Sequence, residues 1–356
     1  MSSCADIPDE EAGIDQTTNL PLPDTIYSQA QEDATYPNPS HKHPQRLLRP
    51  GVYVPTLAFF KKITEELDGE AIARHAVRMA KAGVAGIVTQ GTNGEAVHLT
   101  NLERSTVNRT TRDALSRTGY ENIPIIVGCG VQSTRETIDL CRQAQDSGGD
   151  YAIILPPSYY KANYKPECIK GYFTDIADAS PLPILLYNYP AVTGVDLDSD
   201  TIIELAKHPN IVGCKLTCGN TGKLNRIAAA TTASTHADPG SGFMCLGGSA
   251  DFTIQSLVGG GSGVVAGLAN IAPKSCVKVS ELFISDNYHE AKTLQAIVAR
   301  GDWVAIKTGI SGTKCALECF FGYGGFGRKP LPRPTKKEAI DYADMFQEIA
   351  NVEKVL

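Results

Sequence analysis

Eight short apolar runs, each followed by a helical stretch, constrain this chain more than any other feature. They are GVYVPT (51–56), AGIVTQ (85–90), IPIIVG (123–128), YAIILP (151–156), LPILLYN (182–188), IVGCK (211–215), FMCLG (243–247) and GVVAG (263–267). Their hydrophobicity is continuous rather than alternating, so each strand must be covered on both faces, as in a parallel sheet flanked by helices. Caps mark the helices between them. Thr100 with Glu103 and Ser133 with Glu136 read as capping boxes, and Pro166 suits a first helical turn. Ile72, Ala76, Met79 and Ala80 form an inward face that ends at Gly83. Eight strand–helix units over about 230 residues fit a closed barrel better than an open sheet, because no run is polar or short enough for an edge. No G-x-G-x-x-G opens a helix after the first strand, which removes the main argument for a dinucleotide fold. The expected architecture is α/β, a (β/α)8 TIM barrel over 51–285 with additional C-terminal helices over 286–356. Breaks are expected near Ser285 and across GYGGFGRKPLPRP (322–334).

Residues 1–50 have a different character: prolines at 8, 21, 23, 37, 39, 44 and 50, acids that include Asp6, Asp9, Glu10, Glu11, Asp15 and Asp24, and no Lys or Arg before Lys42. Such an N-terminal extension is not expected to pack on its own. A mitochondrial presequence would be Arg-rich and acid-poor, so the expected location is the cytoplasm. His41 and His43 have no further ligands nearby and read as an exposed pair rather than a metal site. With 42% hydrophobic residues in 356, the chain can bury a large core, and a net charge of -6 gives no reason to expect nucleic acid. A small-molecule partner is expected. No apolar run approaches the roughly 20 residues that span a bilayer, so no membrane partner is expected. The 10 cysteines are scattered through apolar stretches (Cys129, Cys141, Cys214, Cys245, Cys276) and read as buried free thiols, with Cys315 and Cys319 as packing neighbours one turn apart.

Unusual residues fall where the runs end, which is where barrels of this kind carry their chemistry. Gly91, Thr92 and Asn93 follow the second run, Tyr159 and Tyr160 the fourth, and Gly248 and Ser249 the seventh. Tyr187 ends the fifth and Lys215 the sixth. An ammonium at the end of an apolar run is costly to desolvate, so Lys215 suits an amine needed neutral, as a nucleophile. Taken alone, a lysine there usually snorkels to solvent, and a single core tyrosine is commonplace. Convergence of all of them on one mouth favours a site.

On these residues the chain resembles the Schiff-base, pyruvate-handling aldolases related to dihydrodipicolinate synthase and N-acetylneuraminate lyase. The resemblance runs from about Gly51 to the last helices and leaves residues 1–50 uncovered. GTNGEAVHLTNLER looks like the family's G-[ST]-x-G-E loop, which implies that Gly91, Thr92 and Asn93 hold the substrate carboxylate. YNYPAVTG looks like its Y-N-x-P-x-x-[ST]-G stretch, with Tyr187 as the catalytic phenol. HPNIVGCKLT carries Lys215 where the family has its imine-forming lysine. Tyr159, in PPSYYK, matches the tyrosine given to a neighbouring subunit's site. GGSADF, with Gly248 and Ser249 as substrate-binding residues, completes the mouth together with GGGSGVVAGLAN.

The resemblance implies a carbon–carbon lyase that needs no cofactor and no metal. It would cleave a 4-hydroxy-2-oxo acid reversibly to pyruvate and an aldehyde, as a homotetramer built as a dimer of dimers. The imine on Lys215 serves as electron sink, and Tyr187, Thr92 and Tyr159 form the proton relay. Dihydrodipicolinate synthases have an arginine where this chain has Val192, and losing that carboxylate partner costs on the order of 1.5–3 kcal/mol. That points away from the synthase, with N-acetylneuraminate lyase a further alternative on the same scaffold. It points toward 4-hydroxy-2-oxoglutarate or fungal 2-keto-3-deoxy-galactonate aldolases, between which the sequence does not choose. Two rivals come from other classes. A non-catalytic scaffold would be expected to have lost Lys215 or Tyr187. A metal-dependent aldolase needs clustered ligands, whereas His75, His98, His208, His236 and His289 are isolated.

Overall fold

The apolar runs become eight parallel strands: β1 (Gly51–Pro55), β2 (Gly86–Thr89), β3 (Ile125–Gly128), β4 (Tyr151–Ile154), β5 (Ile184–Asn188), β6 (Ile211–Leu216), β7 (Met244–Gly247) and β8 (Gly263–Val265). The structure, a computed structural model, describes residues 46–356. Most of the expected N-terminal extension, with its His41 and His43 pair, therefore lies outside the described residues. β8 returns to β1 with Gly51 opposite Gly263 and Tyr53 opposite Val265, so the strands close in chain order and leave no edge. Within each strand successive side chains face opposite ways. In β1, Val52 and Val54 pack outward among the helices, while Tyr53 joins Val88, Ile126, Ile153, Leu185 and Met244 inside the barrel. The Tyr53 hydroxyl is satisfied by donating to Arg49 O at 2.8 Å.

The helices between strands are α1 (Gly69–Lys81), α2 (Asn101–Arg117), α3 (Thr134–Asp146), α4 (Pro166–Ala179), α5 (Pro190–Thr193), α6 (Ser199–Leu205), α7 (Thr221–Thr231) and α8 (Thr253–Val258). α9 (Pro273–Ile284) follows β8, and the chain ends in α10 (Tyr288–Phe321), α11 (Lys336–Met345) and α12 (Gln347–Val355). The breaks fall where expected, at 285–287 and 322–335. Thr100 and Glu103 complete a capping box on α2. Ser133 accepts from the Glu136 backbone but receives no reciprocal bond, so α3 carries half of the expected box, and Thr335 with Glu338 forms a full one on α11.

α10 is not one straight rod. Gly309, at φ 61 and ψ -155, divides it into two helical segments. The first packs on α12, with Gly301 against Ile349. Glu353 of α12 accepts from the Lys274 and Ser275 backbone at 3.1 and 2.9 Å, placing a carboxylate on the N-terminus of α9. Burial on α10 stops at Leu317, so Cys315 is buried while Cys319 is exposed, and the expected packing pair does not form. Among the described residues no helix is long and apolar enough to cross a membrane.

Candidate active site

Lys215 and Tyr187 are strand neighbours, directly opposite in the β5·β6 register. Each is only 4% exposed, and the Lys215 Nζ stands 4.0 Å from the centroid of the Tyr187 ring. Burial pushes the phenol's pKa up. The Lys215 charge, with polar interactions from Lys215, Thr92 and Thr217, outweighs this and holds it below the usual phenol value. Tyr189 stacks on the same ring, centroids 5.9 Å apart at 19°. The sequence reading missed Thr217, although the period of two in β6 continued past its end puts residue 217 on the face of Lys215.

The loop after β2 is turned by the residues that flank its glycines. Gly91 has open space where a Cβ would sit, and neither it nor Gly94 has positive φ. The left-handed residues are their flanks, Gln90 at φ 56 and Glu95 at φ 50. Gln90 is held by its Nε2, which donates to Asn108 Oδ1 at 2.8 Å and to Arg104 O. Glu95 accepts from Lys314 Nζ at 2.6 Å and from the Arg328 backbone at 2.9 Å. Between these anchors, Thr92 turns toward Tyr187, and Asn93 lies across the mouth near Gly267.

After β7, Gly248 packs so closely on Thr217 that a Cβ would collide with it. The Ser249 hydroxyl donates to the carboxylate of Asp302, reaching in from α10. Burial, partly offset by that bond, raises Asp302 to about 6. Tyr159 stands apart. It is 77% exposed, edge-on to Tyr160 at 5.0 Å, and its backbone donates to Gln132 Oε1 at 2.8 Å. Of the expected relay, the chain brings together Tyr187 and Thr92 with Thr217, and leaves Tyr159 outside.

A cavity of about 460 Å³ opens beside the phenol, walled by Thr92, Val97, Gln132, Glu136, Tyr187 and Val192. A larger cleft of about 800 Å³ lies outside the barrel between α1, α2, α9 and α12, and contains none of the residues gathered at the mouth. His75 is buried between Tyr323 and Asn270, and burial with the Arg78 charge lowers its pKa to about 3, so it is a neutral packing group. Among the described residues no three His, Cys, Asp or Glu side chains group as a metal site.

Residues 50–347 match the dihydrodipicolinate synthetase family. The chain is 50% identical to the "Probable 4-hydroxy-2-oxoglutarate aldolase, mitochondrial" of Emericella nidulans, over 87% of this chain and 98% of that one. It is 48% identical to the L-threo-3-deoxy-hexylosonate aldolase of Hypocrea jecorina, over 86% and 98%. The crystal structure of a dihydrodipicolinate synthase family protein from Coccidioides immitis superposes with TM-score 0.77 at 33% identity, over 87% of this chain and 99% of that one. The expected cytoplasmic location is corrected by these relatives, since the Emericella protein is a mitochondrial one by name. That expectation rested on the average acidity of residues 1–50, and an average over 50 residues does not exclude a short address read locally.

Proposed function

The chain belongs to the dihydrodipicolinate synthetase family, and from that premise we propose that it forms an imine on Lys215 and cleaves a 2-keto-3-deoxy sugar acid to pyruvate and a hydroxyaldehyde. It is an aldolase, a carbon–carbon lyase. The observation that carries the mechanism is the buried pair of Lys215 and Tyr187, with the amine 4.0 Å from the ring centroid and the phenol held below its usual pKa. The Lys215 amine attacks the C2 ketone, whose oxygen leaves as water, giving a protonated imine. The C3–C4 bond then breaks, and its electron pair flows into the imine to form an enamine. As it breaks, the C4 hydroxyl proton passes to Tyr187, whose lowered pKa makes the accepting phenolate accessible. The aldehyde departs, C3 takes a proton, and water hydrolyses the imine to free pyruvate and Lys215.

The substrate's far end is read from the cavity wall. The one cation lining it among the described residues is Arg104, which donates to Gly128 O and Ala96 O at 3.2 and 2.9 Å. Glu136, on the same wall, repels a second carboxylate, and Val192 offers it no partner. Hydroxyls, by contrast, find Glu136, Gln132 and Asn101 to bond. A polyol tail with one carboxylate fits this wall better than 4-hydroxy-2-oxoglutarate, which ends in a second one. The name of the Hypocrea relative supports this reading, and that of the Emericella relative supports the alternative.

Tyr159, exposed and beside the Val192 side of the mouth in sequence order, suits a role in the site of a second copy within a dimer of dimers. Aldehydes offered with pyruvate in the condensation direction test the substrate. Glyceraldehyde is expected to be preferred over glyoxylate and aspartate semialdehyde, and a preference for glyoxylate would assign 4-hydroxy-2-oxoglutarate instead.

A further inference from the structure

We infer that the buried ion pair of Lys314 and Glu95 is a positioning device for the loop that holds the substrate carboxylate, so that α10 sets the strength of pyruvate binding from 219 residues away in the chain. The inference rests on reading Gly91–Asn93 as that loop. Both side chains are wholly buried, with Lys314 Nζ 2.6 Å from Glu95 Oε1. A buried pair of this kind is a poor stabiliser, because removing two charges from water offsets their attraction, and a matched apolar replacement often folds as well. Stability alone therefore does not explain it.

The backbone supplies the reason. Glu95 sits at φ 50 and ψ 39, a left-handed conformation that costs a residue with a Cβ and persists only where its surroundings over-determine it. Gln90, at φ 56, is the matching residue at the other end of the loop. The Gln90 end is held by the buried Asn108 and Arg104 of α2. The Glu95 end is held from the C-terminal segment, through Lys314 and the Arg328 backbone. Lys314 also donates to Phe326 O at 3.1 Å, and the Arg328 guanidinium grips Glu103 through bonds of 2.9 and 2.6 Å. The loop around 322–334 is thus tied beneath the mouth by the same lysine. Between the two anchors Gly91 has open space, while Gly94 packs on the Gln90 and Thr56 backbone and Glu95 N–H donates to Thr92 O at 3.1 Å, so the anchored ends act with these local contacts to fix where the Thr92 and Asn93 N–H groups point. Lys314 belongs to the α10 segment after Gly309, whose non-helical bend separates it from the segment packed on α12.

The decisive variant is the double substitution Glu95→Gln with Lys314→Met, which removes both charges, approximately keeps volume and is expected to fold. Pyruvate is titrated against it, borohydride fixes any imine, and mass spectrometry counts adducts on Lys215. The expected result is an unchanged adduct yield at saturating pyruvate with a half-saturating concentration raised about tenfold or more, since small displacements of binding groups are costly. Thermal unfolding, measured beside it, is expected to stay close to that of the unaltered protein. An unchanged half-saturating concentration overturns the inference. If the double variant does not fold, Glu95→Gln with Lys314→Gln, which leaves no buried charge and lets the two amides hydrogen-bond, is read in the same way. Absence of any adduct in the unaltered protein would remove the imine reading itself, a failure distinct from a normal titration in the variant.

Discussion

At one end of the mouth, Lys215 and Tyr187 are buried on adjacent strands whose register sets their spacing. At the other, Val97, Tyr159 and Val192 are 89%, 77% and 54% exposed and sit in the segments that follow strands: a single 3-10 turn, a loop and the one-turn helix α5. Strands in a closed barrel move together, so the imine end has one geometry. The loop-borne end has few contacts to hold it and can be rebuilt without disturbing the sheet. On the proposed mechanism, reaction chemistry falls to the strands and choice of aldehyde to the segments that follow them.

The largest test of that division is Lys215→Ala, which is expected to leave the fold intact while abolishing both turnover and borohydride fixation of pyruvate. Lys215→Arg is expected to fail as well, because a guanidinium stays protonated and cannot attack. Undiminished turnover in either variant would sink the imine. Tyr187→Phe removes only a hydroxyl at the same end. Cleavage is expected to fall by about 10² to 10⁴ while the Lys215 adduct still forms, so kinetics and mass spectrometry separate the two residues.

The buried end also carries a titration. Asp302 is raised to about 6 by burial, partly offset by Ser249 and added to by the Asp251 charge. A carboxyl raised in the folded state contributes stability that is complete below its unfolded pKa, near 4, and is lost as pH rises through about 6. Asp302→Asn cannot ionise. Relative to it, the unaltered protein is expected to lose on the order of 2–3 kcal/mol between pH 4 and pH 7, about 10² in the folding equilibrium. Denaturant unfolding of both proteins at each pH checks this, and a constant difference would show that Asp302 does not titrate there.

The smallest effect belongs to the exposed end. Val192→Arg puts a guanidinium where the wall lacks a free cation. It is expected to raise the use of glyoxylate relative to glyceraldehyde roughly tenfold, with little change in the yield of the Lys215 adduct. A fall in that adduct instead would mean that the two ends are coupled, contrary to the division drawn above.

The barrel was legible because its signals are local. A continuous apolar run marks a strand covered on both faces, and Thr100 with Glu103 or Pro166 marks a helix start within one turn. Lys215, Tyr187 and Thr92 were legible for the same reason, since each stands at or just after the end of a run, and parallel strands deliver all run ends to one mouth. Local signals misplace what depends on distant partners. Nothing within the G-T-N-G-E motif tells that Gln90 and Glu95, not the glycines, take left-handed backbone, because that is imposed by Asn108 on α2 and by Lys314, 219 residues on. Nor does GGSADF tell that the Ser249 hydroxyl donates to Asp302, 53 residues away. Tyr159 could be named from its motif, yet one chain leaves it in solvent, away from the phenol. By itself the sequence determined the barrel and the residues at its strand ends. Only the tertiary structure decided which buried charges hold those residues in place, because pairing between distant segments follows from closure of the fold and leaves no periodic trace in the chain.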